Sequence, residues 1–116
     1  MVAYGLSDDD ADRIFQALAD RTRRDIVTRV LTTEQSVSEL AERYSMSFAA
    51  VQKHVAVLER AGLVRKVRRG REQIVHAAVD VIHHATALLE SYEHLWQHRV
   101  ARIDALLSEH DPTQGD

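Results

Sequence analysis

A mainly α-helical domain with one small β-hairpin is what this sequence predicts, in the order helix-helix-helix-helix-strand-strand-helix. Three observations carry the prediction. Serines that can cap helices are followed three residues on by an acid at Ser7/Asp10 and Ser36/Glu39, apolar periodicity changes from helical to alternating after Gly62, and a long 3,4-spaced apolar seam fills the last third. The 116 residues, 13.2 kDa, are 45% apolar and 28% charged, room for a single domain over residues 1–109 and a short frayed tail at 110–116.

Ser7 with Asp10 forms the first capping signal, and Asp8 to Asp10 suit the positive end of a helix carrying Ala11, Ile14, Phe15 and Leu18 at helical spacing. Ile26, Val27, Val30 and Leu31 mark a second helix, with Asp20 or Thr22 as its N-cap. Ser36 and Glu39 open a short third helix ending near Tyr44. Ser47 then caps a fourth, Phe48 to Ala61, whose inward stripe is Val51, Val55 and Leu58 and whose stop is Gly62. Two helices joined by so short a turn form a helix-turn-helix unit. Leu63–Arg68 and Gln73–Ala77 alternate as strands about a turn at Arg69-Gly70-Arg71, which makes the whole a winged helix-turn-helix.

The last helix runs from an N-cap at Asp80 to Leu107. Its seam is Ile82, Ala85, Leu89, Tyr92, Trp96, Ile103 and Leu106. About 28 residues make a rod of roughly 42 Å, whereas a globule of this length is only about 26–30 Å across. An apolar face of that length exceeds what soluble monomers expose, so burial on a second copy is expected: a homodimer.

Charge is unevenly placed. The net charge is −3, yet residues 53–71 hold seven cations (Lys53, Arg60, Arg65, Lys66, Arg68, Arg69, Arg71) against Glu59, a local +6 on a remainder of −9. Such a segment is the footprint of a polyanion partner, here double-stranded DNA. With the apolar stripe inward, Ser47, Ala49, Ala50, Gln52 and Lys53 face outward. Small residues permit close approach to the major groove, Gln52 can pair with adenine and Lys53 with guanine or phosphate. Ser47 and the helix start suit a phosphate, His54 packs or contacts one, and Arg65, Arg68, Arg69 and Arg71 of the wing run along the backbone or the minor groove.

Other classes are disfavoured. No cysteine is present, which excludes disulfides, thiolate metal sites and thiol catalysis. No segment approaches the ~20 apolar residues of a membrane span, and the acidic N-terminus lacks the basic region of a secretory signal, so a cytoplasmic location is expected. A Gly-rich phosphate loop and a G-x-S-x-G elbow are both missing, which argues against an enzyme, and no cofactor is expected.

Three stretches resemble the ArsR/SmtB family of bacterial winged-helix repressors: Phe15 to Val27, with Arg21 where the family has proline; Val37 to Ala41; and Met46 through the wing to Glu72, with Gln52 where many members carry serine. The resemblance covers about residues 10–108 and implies a homodimer, paired through the first and last helices, that blocks transcription at an imperfect inverted repeat. It places Ile14, Leu18, Leu89, Tyr92, Trp96, Ile103 and Leu106 at the dimer interface. The family's zinc-type site on the last helix is met here by Val81, His83, His94 and Gln97, two matches of four, with the His94/His98 pair nearby; no metal is assigned, and His83, His94 and His98 are the remaining candidates. The effector, a small molecule or a protein, is not identified by the sequence. Two rival readings are a winged-helix protein-interaction module without DNA readout and a metal-responsive repressor using those histidines. The cationic wing argues against the first.

Overall fold

The computed structural model describes residues 2–109, so the expected tail at 110–116 lies outside it. Ten elements follow in order: β1 (Val2–Ala3), β2 (Leu6–Ser7), α1 (Asp8–Leu18), α2 (Arg21–Thr32), β3 (Gln35–Ser36), α3 (Val37–Ala41), α4 (Phe48–Arg60), β4 (Val64–Arg69), β5 (Glu72–Ala77) and α5 (Val79–Glu109). The chain divides into two compact units, Met1–Ala85 and Thr86–Asp116, the described part of the second being the continuation of α5.

Three serine caps form as the sequence predicts. Asp10 N donates to Ser7 Oγ at 3.0 Å while Ser7 N donates back to the Asp10 carboxylate at 3.2 Å, and Ser36 with Glu39 repeats the box at 3.0 and 3.1 Å. Ala50 N donates to Ser47 Oγ at 3.1 Å. Of the two N-cap candidates for α2, Asp20 is used: its carboxylate accepts from Arg23 N at 3.0 Å, and that bond lowers its pKa. The stop of α4 is a Schellman motif. Gly62 (φ 79°) donates to Glu59 O, and Leu63 N reaches back to Leu58 O at 3.0 Å, with both leucines buried.

Ile14, Ile26, Leu40, Val51, Val55 and Leu58 form the centre of the core in the first unit, with Leu63, Val64 and Val75 closing it from the sheet. That sheet has three strands, ordered β3-β5-β4 and antiparallel throughout, rather than a bare hairpin. Gln35 and Ser36 pair with Val75 and Ile74. The wing turn is the two residues Gly70-Arg71; Arg69 still pairs with Glu72.

Several boundaries move for physical reasons. α3 ends at Ala41, not near Tyr44, because Arg43 N bonds Leu40 O in a tighter turn and Tyr44 is drawn across to α2. Its hydroxyl donates to Asp25 Oδ2 at 2.6 Å; Arg29 Nε donates to the same oxygen at 2.8 Å, and its guanidinium lies 5.7 Å over the Tyr44 ring. α5 starts at Val79, with Val81 N and Ile82 N bonding the carbonyl of buried Ala78, so Asp80 lies in the first turn instead of capping it. The N-terminal hairpin β1–β2, with positive φ at Tyr4 and Gly5, has no counterpart in the expected order.

Burial, and after it the bond to Asp25, pushes Tyr44 up to about 12, while the Tyr44 and Arg29 bonds hold Asp25 below the ordinary carboxylate value. Stabilisation by this carboxylate is full above its unfolded pKa of about 4 and is lost as pH falls through the folded value. Tyr44→Phe should therefore cost about 1 kcal/mol near neutrality, and urea denaturation should show the gap from wild type narrowing from about pH 5 to about pH 2. A gap that stays constant over that range would mean Tyr44 acts by packing alone.

Candidate nucleic-acid interface

The first turn and a half of α4 presents the outward residues. Ser47, Ala49, Gln52 and Lys53 are exposed and Ala50 is half-buried, while Val51, Val55 and Leu58 face the core. Ser47 is both cap and surface, its hydroxyl accepting from Ala50 N while the helix start remains open to solvent. Gln52 lines a groove of about 280 Å³ shared by α3, α4 and the wing, together with Ser38, Phe48, Lys66, Arg71 and Gln73. α4 and the wing thus converge on one surface.

Phe48 was not among the expected interface residues. It stands 47% exposed one turn before Gln52, an apolar residue at the edge of a polar surface. The signal lay in its spacing, i−4 from Gln52 on the side of the stripe that the core leaves uncovered.

His54 is turned away from that surface. Its Nδ1 lies 3.3 Å from Arg23 Nη1 and 3.9 Å from the Asp20 carboxylate, so it is a half-buried link between α4 and α2. Arg23 is itself fixed: Nε donates to Ala17 O at 2.7 Å and Nη2 to Gln16 O at 3.1 Å, while Arg24 Nη1 donates to Leu18 O at 2.7 Å. The two arginines supply the donors that the last turn of α1, which has no cation of its own, would otherwise lack.

Folding redistributes the basic segment. Arg65 is held by Asp80 through bonds of 3.1 and 3.0 Å, which lower the Asp80 pKa; Lys66 pairs with Glu59 at 3.5 Å, and Arg69 with Glu34 at 3.6 Å. Glu34 also lies 3.2 Å from His76 Nδ1. Lys53, Arg68 and Arg71 form no ion pair among the described residues, although Arg68 Nε bonds Gly70 O at 3.2 Å. Arg60 faces elsewhere and belongs to a different cleft.

Of the expected dimer residues, Ile14 is a correction: it is fully buried in the protomer's own core and has no surface to offer a second copy. Leu18 is half-buried against that core, and Phe15 is the large apolar residue of α1 that reaches solvent. In α5, Leu89, Tyr92, Leu95, Trp96, Ile103, Leu106 and Leu107 are all exposed, Trp96 at 58% with Arg99 5.8 Å over its ring. His83, His94 and His98 are exposed, and no three acid or histidine side chains converge as metal ligands among the described residues. Among the described residues, no helix is long and apolar enough to cross a membrane.

A sequence family described as a helix-turn-helix domain matches residues 18–67. Among curated proteins, the HTH-type transcriptional regulator YuzN of Bacillus subtilis is 38% identical over 71 residues, 55% of this chain and 77% of the relative. Among solved structures, an ArsR-like transcriptional regulator from Rhodococcus sp. RHA1 superposes with a TM-score of 0.74 at 34% identity, covering 84% of this chain and 92% of that one. Mb0332 from Mycobacterium bovis, described as a homodimeric winged helix-turn-helix DNA-binding domain and a possible ArsR-family regulator, gives a TM-score of 0.61 at 27% identity over 82% of this chain and 94% of its own.

The Arg65–Asp80 pair yields a test of the surface. Asp80→Ala removes an acid and frees a cation, so affinity for duplex DNA should rise, and the slope of log affinity against log salt should steepen by about one per copy. Fluorescence anisotropy over a salt series measures both; an unchanged slope would place Arg65 outside the contact.

Proposed function

We propose that this chain, which belongs to the ArsR family of winged helix-turn-helix transcriptional regulators, represses transcription as a homodimer bound to an imperfect inverted repeat. The observation that carries the reading is the groove where Gln52 of α4 lies beside Arg71 of the wing, with Lys53 exposed next to Gln52 in the helix. An amide able to pair with a base, an exposed ammonium and a guanidinium without an ion pair among the described residues match the division of labour in helix-turn-helix complexes, in which the second helix reads bases and flanking cations hold the backbone.

Gln52 is the residue of base choice, offering its amide to adenine N6 and N7. Ala49 and Ala50 keep the helix close to the groove floor. Lys53, Arg68 and Arg71 supply phosphate contacts, and Ser47 with the first amides of α4 adds a neutral one. Arg65 and Arg69, already paired with Asp80 and Glu34, contribute after exchanging a carboxylate for a phosphate.

Two copies are supported by the exposed apolar residues of α5, among them Leu89, Tyr92, Trp96, Ile103 and Leu106. A cluster of this size is costly to leave in water and suits a self-complementary two-fold contact. The relative Mb0332 is described as homodimeric, which agrees. A two-fold dimer reads half-sites about 10 bp apart or a multiple of that turn, and a protein spanning such a site covers duplex that polymerase must occupy.

A gel shift on the DNA upstream of the gene, run as a salt series, tests the reading. Arg71→Ala should weaken all sequences alike and flatten the salt slope by about one per copy. Gln52→Ala should alter base preference, each lost paired contact being worth about 1–3 kcal/mol. Full affinity and slope in Arg71→Ala would remove the wing from the mechanism. Sedimentation equilibrium should find a dimer that Trp96→Glu converts to monomer, with DNA affinity falling in step; a wild-type monomer at micromolar concentration would overturn the paired arrangement.

A further inference from the structure

Arg60 counts among the seven cations of the basic segment, but the fold takes it away from the wing. It stands 13 residues beyond the Ser47 cap, about 20 Å along the axis of α4. There it lines a cleft of about 450 Å³ between α1 and α4, with Arg13 and Gln16 of α1, Arg23 of α2, and a floor of Ala17, Val57 and Ala61. Three arginine side chains therefore line one cleft together with apolar Ala17, Val57 and Ala61, on a chain whose remaining charge is acidic.

The carboxylates nearby compensate this cluster only in part, the Arg23 charge being one of the influences that hold the Asp20 pKa down. Arg13 pairs with Asp10 at 3.3 Å, and Asp10 is also engaged in the cap of α1. Among the described residues, Arg23 and Arg60 form no ion pair. Arg23 is held rigid by the carbonyls of Gln16 and Ala17, so its position is set before any ligand arrives. Preset guanidinium forks are the groups best suited to an oxyanion, and an apolar floor rewards a ligand with a hydrocarbon body.

We propose that this cleft binds a small organic anion, its carboxylate or phosphate head held by Arg60, Arg23 and Arg13 and its short apolar body lying on Ala17, Val57 and Ala61. The consequence for regulation rests on the DNA-reading role proposed above. Arg23 Nη1 faces His54 Nδ1 at 3.3 Å, and His54 follows directly on Gln52 and Lys53 in α4. An anion that draws on the Arg23 guanidinium competes with that link and loosens the seating of the reading helix.

Full-length ¹⁵N-labelled protein, titrated at constant ionic strength with sodium hexanoate and separately with inorganic phosphate, tests both parts. Amide shifts should cluster at Ala17, Val57 and Ala61 and saturate, with hexanoate saturating at about ten-fold lower concentration because its chain buries on the floor. Arg60→Gln should weaken both probes while circular dichroism and the DNA salt slope stay as in wild type; Arg13→Gln provides an independent variant. Tighter binding of phosphate than of hexanoate would overturn the apolar-body assignment. Shifts confined to the wing, binding insensitive to Arg60→Gln, or a flattened DNA salt slope in that variant would overturn the site. Hexanoate should lower DNA affinity several-fold in wild type and not in Arg60→Gln. Unchanged DNA affinity with hexanoate bound would refute the regulatory step alone, and an absence of DNA binding altogether would refute the functional reading while leaving the anion site standing.

Discussion

The junction of α1 and α2 is held by an exchange of helix caps on which the placement of α4 depends. Asp20 accepts from the amide of Arg23 and so starts α2; Arg23 and Arg24 then reach back to the carbonyls of Gln16, Ala17 and Leu18 and finish α1. One short stretch thus closes two helix ends that would otherwise leave polar groups without partners. The same Arg23 extends to His54, so the arrangement that fixes α1 against α2 also sets where α4 sits. This gives a physical reason for the Leu18-Ala19-Asp20-Arg21-Thr22-Arg23-Arg24 run: Asp20, Arg23 and Arg24 each have a backbone partner at the helix end they close.

Much of the fold was legible because its signals are local. Ser7, Ser36 and Ser47 lie within three residues of the amides they cap, and Gly62 stops α4 through bonds to residues just behind it. Such geometry is written in short spacings and does not wait for tertiary structure. What escaped depends on residues far apart in the chain. β3 and the N-terminal hairpin are two-residue strands, too brief to show a period, and β3 exists because β5 passes beside it. The end of α3 moved because Tyr44 found Asp25 nineteen positions earlier. Ile14 and Phe15 are both apolar and adjacent, and helical spacing alone did not say which one the core would take.

Charge was legible only as a sum. Counting along the chain finds the cationic segment, but the acids that answer it come from elsewhere: Glu34 precedes β3 and Asp80 lies in the first turn of α5, yet they meet Arg69 and Arg65. The wing is consequently less positive than its sequence, and among the described residues the cations without an ion pair on this side are Arg68 and Arg71 of the wing and Lys53 of α4. Arg60 departs in the opposite direction. A single run of sequence therefore supplies two separate cationic surfaces, a division that becomes visible only once α4 is drawn with its length and the residues at its two ends are seen to face different neighbours.

The Schellman turn at Gly62 leaves no slack between α4 and β4. Leu63 is buried and bonded to Leu58, and the next residue already pairs with Ala77. Helix and strand are therefore welded at a fixed angle, with no joint through which either could adjust to a target independently of the other. In the complex proposed above, the duplex would do the accommodating, by changing its groove width or its bend between the point the helix enters and the point the wing rests. Steps that flex readily meet that demand cheaply and stiff tracts do not, so in that complex the elastic character of base pairs no side chain touches would become part of what is selected.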